Sequence, residues 1–344
     1  MNSPLITADQ LIADVVKKYP GSERIFTKHG VGCAGCNISK VETIAQGAAG
    51  HGKAVGMSMD ALLDDLNSFA QTGKLPPGTP EQPKGGTTMT AQAGIKNVIA
   101  VMSGKGGVGK SLVAGLLAVG LRRHGFRVGI LDGDITGPSI PKMFGVRGKP
   151  GVHGQKLLPA MTETGIGIIS MNLLLPAEEE AVIWRGPMVS GAIRQFFTDV
   201  EWGDLDYLIV DLPPGTSDAP LTVMQALPVT GTILVTTPQA LATMVVTKAV
   251  RLVKQLGGDI LGVVENMSYV EMPESRERIE VFGPSQGLKL VIASGAPLLA
   301  KLPIDPLIAH LADNGKIEEY RSAQFDELQH NFLALAPLKE PSPV

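Results

Sequence analysis

The stretch Gly104-Lys-Gly-Gly-Val-Gly-Lys-Ser111 combines a glycine-rich run with a terminal lysine and hydroxyl residue, residue types suited to holding phosphate. Glycines let successive backbone N–H groups curl around phosphate oxygens with no Cβ in the way. The pattern G-x-x-x-x-G-K-[ST] lies where it must, after the apolar run Val98 to Met102 and before a helical stretch from Ser111 to His124 that closes at Gly125. In that setting Gly104, Lys105, Gly106, Gly107, Val108 and Gly109 are expected to wrap the phosphates. Lys110 is expected to reach the β and γ phosphates and Ser111 to ligate magnesium, with the helix N-terminus adding its partial positive charge. One lysine suffices for such a loop, so Lys105 requires a role of its own.

Carboxylates follow at two later strand ends, in Leu131-Asp-Gly-Asp134 and in Tyr207-Leu-Ile-Val-Asp-Leu-Pro-Pro-Gly-Thr-Ser-Asp218. Ligands of open α/β folds bind at the C-terminal edge of the sheet, where these residues would stand. Asp211 reads as the acid that holds magnesium next to Ser111, and Asp134 as the residue that orients an attacking water. Asp132 would brace the loop, and the Gly215 N–H would sense the γ-phosphate. Any one aspartate at a strand end is as readily a turn or cap residue. Their convergence on one phosphate loop is what argues for phosphoryl transfer.

The elements that would position these groups can be read from Ile95 onward. Apolar runs at Val98 to Met102, Arg127 to Leu131, Gly167 to Ser170, Tyr207 to Val210, Thr232 to Thr236 and Leu261 to Glu265 alternate with helical stretches. The expected fold is α/β, a mostly parallel sheet covered by helices on both faces. Residues 1–70 read instead as a small all-helical domain. Thr7 is its first expected N-cap, Pro20 the stop of that helix, Ser39-Lys-Val-Glu42 a capping box, and Ser58 the cap of a helix from Met59 to Phe69. Residues 71–94, rich in proline and glycine and without periodicity, read as a flexible linker to a domain of residues 95–344.

Composition narrows the partners. With 44% hydrophobic and 18% charged residues, the 344-residue chain can bury a full core. A formal net charge of -3 leaves no basic surplus for coating nucleic acid. Met1 to Gln10 has no signal-peptide character, no apolar run is long enough to span a bilayer, and the segment from Phe325 lacks the basic face of a membrane-targeting helix. A cytoplasmic protein with neither nucleic acid nor membrane as partner is expected.

With Lys105 directly after the first glycine, the loop resembles the deviant Walker A motif of the MinD, ParA and nitrogenase iron protein group. More narrowly, Asp132-Gly-Asp-Ile-Thr-Gly-Pro-Ser-Ile-Pro141, Trp184-Arg-Gly-Pro-Met-Val-Ser190, Asp206-Tyr-Leu-Ile-Val-Asp-Leu-Pro-Pro-Gly-Thr216 and Val264-Glu-Asn-Met-Ser-Tyr269 resemble the Mrp/ApbC family of iron-sulfur cluster carrier ATPases. The resemblance covers roughly Ile95 to Leu335. It implies ATP and magnesium as ligands and a homodimer in which Lys105 crosses to the partner's nucleotide. It further implies adenine recognition by Asn266 with Pro303 against the same base, and delivery of a 4Fe-4S cluster to apo iron-sulfur proteins.

Two departures bear on that implication. Leu112 follows Ser111 where related loops often carry threonine. Where the family has a C-x-x-C pair, this chain reads Met272-Pro-Glu-Ser275, a poor ligand set for a cluster. Its two cysteines lie instead at Cys33-Ala-Gly-Cys36, in a glycine-rich stretch of the helical domain, which resembles a small domain of unknown function. Two chains would supply the four thiolates that a bridging 4Fe-4S cluster takes. A redox dithiol, a shared zinc or iron ion, or two cysteines in a turn are the other readings. His29 and His51 are either further ligands or helix-end residues. A MinD- or ParA-like switch ATPase without cluster chemistry is the alternative function.

Overall fold

The computed structural model describes residues 5–19, 21–29, 42–51, 58–79, 94–134, 139–174, 186–216 and 218–336. Cys33, Cys36, Ser39, most of the expected linker, Ile135 to Pro138, Trp184, Arg185 and Ser217 lie outside these. The chain separates into two compact units, Met1–Gly86 and Thr87–Val344.

The first unit contains α1 (Ile12–Lys18), α2 (Glu23–Lys28), α3 (Ile44–His51) and α4 (Met59–Thr72). Its core is Ile6, Ile12, Val15, Ile25, Phe26, Ile44, Leu62 and Leu66. Leu62 and Leu66 are one turn apart on α4, the spacing that gives a helix an apolar stripe. Ser58 caps α4 by accepting from the Ala61 N–H at 3.4 Å, and Gly73 ends it in the left-handed conformation.

One cap differs from expectation. Thr7 does not start a helix: its hydroxyl bonds the Asp9 carboxylate, and α1 begins only at Ile12. The backbone at Leu11 is taken up by an antiparallel bridge to Thr43, with the Ile12 N–H donating to the Glu42 carbonyl at 3.1 Å. The described residues hold a capping box at Thr43 to Gln46, while Ser39 of the expected box lies outside them. There the Gln46 N–H donates to Thr43 Oγ1 at 3.2 Å and the Thr43 N–H to Gln46 Oε1 at 2.9 Å.

The second unit is built on an eight-stranded sheet. Its strands are β1 (Ile95–Ser103), β2 (Val128–Asp132), β5 (Ala160–Met161), β6 (Gly167–Ser170), β7 (Leu205–Asp211), β8 (Gly231–Thr236), β9 (Ile260–Glu265) and β12 (Leu298–Lys301). Two hairpins stand outside it, β3 (Val152–His153) with β4 (Lys156–Leu157), and β10 (Val270–Glu271) with β11 (Arg278–Ile279). The sheet order is β12-β9-β8-β1-β7-β2-β6-β5, every pairing parallel except β5 with β6.

One face is covered by α5 (Lys110–Arg123), α6 (Ser139–Met143), α11 (Pro306–Asp313) and α12 (Ala323–Leu335). The other is covered by α7 (Gly186–Thr198), α8 (Asp218–Ala226), α9 (Ala240–Gln255) and α10 (Gly287–Ser294). The central strands therefore run apolar without alternation, as parallel strands buried on both faces do. Tyr207 anchors the first layer, its ring edge-on to Phe126 with centroids 5.3 Å apart and to Phe332 at 6.4 Å. Such pairs add about 0.5–1.5 kcal/mol beyond area burial. Among the described residues no helix is long and apolar enough to cross a membrane.

The position of α2 on α4 depends on Asp65, whose Oδ2 lies 2.9 Å from Lys28 Nζ and 2.8 Å from His29 Nε2. Burial pushes the Asp65 carboxyl upward, but hydrogen bonds from His29 and Lys28 outweigh it and hold it below the usual carboxylate range. A depressed carboxyl contributes stability above its unfolded value of about 4 and loses it as pH falls through the folded value. Asp65→Asn is expected to cost about 0.5–1 kcal/mol near pH 7. The deficit should vanish in acid below the folded value, as read by native-state amide exchange of α4.

Candidate functional site

Residues 104–109 link β1 to α5 in a tight turn whose geometry only glycine supplies cheaply. Gly107 and Gly109 have φ of +78° and +81°, and a Cβ on Gly109 would lie 2.1 Å from Asn266 Nδ2. Lys110 opens α5, and its side chain is only 5% exposed. It donates to Asp211 Oδ1 at 2.5 Å and lies 3.8 Å from Asp134 Oδ2. The Ser111 hydroxyl donates to Asp211 Oδ2 at 2.5 Å.

Sheet register sets the acids. Asp132 at the end of β2 is directly opposite Asp211 at the end of β7, and β7 in turn lies beside β1. The Gly133 N–H donates to the Asp211 carbonyl at 2.8 Å, tying the two strand ends together. Asp132 Oδ1 accepts from the Asp134 N–H at 3.1 Å and Oδ2 from the Ser170 hydroxyl at 2.8 Å. Asp132 thus shapes the turn that presents Asp134, the bracing role expected of it. Burial raises the Asp132 carboxyl well above its usual value, and the neighbouring Asp211 charge adds to this. Burial also raises Asp211, opposed by the Lys110 ammonium and the Ser111 hydroxyl.

The remaining candidates fall into two groups. Lys105 Nζ donates to Gln239 Oε1 at 2.6 Å, just ahead of α9. The Gly215 N–H, in a residue with φ of +94°, donates to the Ser103 carbonyl at 3.1 Å. Both therefore stand beside the phosphate loop. Asn266 Nδ2 donates to the Val108 carbonyl at 2.9 Å. Pro303 sits between Leu302, whose N–H donates to the Glu265 carbonyl, and Ile304, whose N–H donates to the Tyr269 carbonyl. Asn266 and Pro303 thus share one frame behind the loop.

A cleft of about 350 Å³ opens at Lys110, Ser111 and Asp134. Its apolar wall is Leu112, Met143, Ile308 and Ala312; Asn266 and Pro303 do not line it. The α11 contribution has no motif in the sequence, because Ile308 and Ala312 are ordinary amphipathic spacing. Gln239 and Ser170 were likewise invisible, since only the fold brings them to Lys105 and Asp132. Met272 and Ser275 stand in the turn of the β10–β11 hairpin, where Ser275 Oγ accepts from the Glu277 N–H at 3.3 Å. His29 is held by Asp65, and His51 ends α3. Among the described residues no three His, Cys, Asp or Glu side chains gather as a metal-holding group.

Comparison with known proteins bears on both units. Residues 94–336 match the family described as NUBPL iron-transfer P-loop NTPase, and residues 6–62 match a domain of unknown function, DUF1858. An iron-sulfur cluster carrier protein of Clostridium perfringens is 46% identical over 239 residues, spanning 67% of this chain and 84% of that one. A nucleotide-binding protein of Archaeoglobus fulgidus, solved in complex with ADP, is 44% identical with a TM-score of 0.61, over 67% of this chain and 91% of that one. The cell division ATPase MinD of Pyrococcus furiosus, 24% identical with a TM-score of 0.51 over 70% of this chain and 99% of that one, shares the fold. The match over residues 94–336 places the chain in the iron-transfer P-loop NTPase family.

Proposed function

We propose that the chain is an iron-sulfur cluster carrier that binds and hydrolyses ATP as a homodimer and delivers its cluster to apo iron-sulfur proteins. The observation that carries this reading is the joint hold of Lys110 and Ser111 on Asp211 beneath a glycine loop, in a chain of the iron-transfer family. The loop N–H groups and the N-terminus of α5 bind phosphate oxygens. Lys110 exchanges its contact with Asp211 for the β and γ phosphates. The hydroxyl of Ser111 and the carboxylate of Asp211 are adjacent hard oxygen donors, a set that fits magnesium. Magnesium supplies charge neutralisation on the phosphates. Asp134, presented by the Asp132 turn, orients the attacking water, and Gly215 gives up the Ser103 carbonyl to meet the γ-phosphate. Lys105 leaves Gln239 and reaches the partner's nucleotide. Asn266 and Pro303 meet the adenine.

The cluster is cargo, and its ligands are proposed to be Cys33 and Cys36 from both protomers. Met272 and Ser275 give the hairpin no thiolate to offer. That same absence favours the second reading, a switch ATPase of the MinD and ParA kind without cluster chemistry.

Lys110→Ala is expected to weaken ATP binding by about 100-fold, because a charge-assisted contact to phosphate is lost. Asp134→Ala should retain ATP while turnover falls about 100-fold or more, and it should accumulate as a dimer in size-exclusion chromatography. Equal behaviour of the two variants in binding and turnover assays would instead indicate a nucleotide-binding scaffold. Anaerobic reconstitution with iron and sulfide is expected to load the wild type and not the Cys33→Ala, Cys36→Ala double variant. Iron content and visible absorption decide between the two readings.

A further inference from the structure

Glu265 ends β9 fully buried, and its carboxylate is met by neutral donors. The Gln286 N–H donates to Oε1 at 2.8 Å, and the Ser268 hydroxyl sits 3.0 Å from Oε2 and 2.8 Å from the Glu265 main-chain carbonyl. Burying a carboxylate is costly unless its oxygens are bonded, so an apolar residue would serve better if the position only filled space.

The residues on either side explain the choice. The next residue, Asn266, wedges its amide against the phosphate loop at Val108 and Gly109. Met267 then takes φ of +55°, a left-handed conformation that costs a non-glycine residue about 1–2 kcal/mol and must be held from outside. The Leu302 N–H donates to the Glu265 carbonyl at 2.9 Å and the Ser268 N–H to the Leu302 carbonyl at 2.9 Å, which fastens this turn to the Pro303 segment. On the far side, Gln286 is the N-cap residue of α10, whose outer face shows Leu288 and Ile292 at 74% and 75% exposure. Tyr269 leads into the β10–β11 hairpin, with the Arg278 guanidinium 4.5 Å from its ring centroid.

The geometry points to Glu265 as a positioning residue that joins the phosphate loop to α10 and the β10–β11 hairpin, so that nucleotide at the loop is registered on that outer surface. The inference rests on the nucleotide reading above. Any displacement of Asn266 by nucleotide is passed through one peptide unit to Glu265, and its carboxylate is bonded to the N-cap residue of α10. The hairpin that carries Met272 and Ser275 in place of the family's cysteines thus keeps a mechanical tie to the nucleotide site.

Amide hydrogen exchange of the full chain, with and without a non-hydrolysable ATP analogue and magnesium, tests this. In the wild type the analogue should protect residues 104–111 and slow exchange in 270–279 and 287–294 by about fivefold or more. Glu265→Gln should keep that response. Its amide accepts from the Gln286 N–H and donates to Ser268 Oγ, which turns its own proton to the residue 265 carbonyl. Glu265→Ala should still protect the loop at saturating analogue but lose the response of the hairpin and α10. Ser268→Ala, which removes the hydroxyl that meets both Glu265 Oε2 and the Glu265 carbonyl without opening the core, should cut it about twofold. An undiminished response in both the Glu265→Ala and Ser268→Ala variants overturns the inference, as does a wild type whose loop is protected while residues 270–294 are unmoved. A wild type with no protection at the loop removes the nucleotide reading itself.

Discussion

The carboxylate of Asp211 lies fully buried at the end of β7, and each of its oxygens is claimed by a residue of the phosphate loop, Lys110 on one and Ser111 on the other. Breaking a buried ion pair on one side leaves an uncompensated charge and typically costs about 3–5 kcal/mol. The first turn of α5 is therefore bound to stand over the end of β7. Since β7 neighbours both β1 and β2, that one constraint gathers the loop after β1 and the Asp132 turn after β2 around a single point. Burial raises the Asp211 carboxyl, and the Lys110 ammonium opposes that rise.

Around that point the two layers do different work. The α5 and α11 side supplies the apolar wall of the cleft, while the α9 and α10 side supplies polar contacts through residues just ahead of those helices. Gln239, just before α9, engages Lys105, the residue expected to cross between subunits. Gln286, just before α10, engages Glu265 beside the Asn266 and Pro303 frame.

Much of this was legible because it depends on local sequence. The phosphate loop, its strand and its helix were readable from glycine spacing and apolar runs, and each central strand lies within a few residues of its expected place. Strand ends such as Ile95 and Leu205 were missed because their neighbours Lys96 and Asp206 interrupt the apolar pattern. The four-residue edge strand β12 and the two-residue strands have too few positions to show any period. Thr7 was misjudged as a cap for a different reason. The bridge from Leu11 to Thr43, not the hydroxyl of Thr7, decides where helix geometry begins.

The sequence by itself determined where the glycine-rich loop lies and which residues it carries, because that motif is written in consecutive residues. It also determined that Met272 and Ser275 cannot replace thiolates, which is a matter of side-chain chemistry alone. Only the tertiary structure decided what those residues lean on: Ser170 on Asp132, Gln239 on Lys105, Ile308 and Ala312 on the cleft, Glu265 between the loop and α10. Those pairs are tens to nearly two hundred residues apart in the chain or depend on how helices cover the sheet. No local pattern records them, because the contact exists only once parallel strands have set the register.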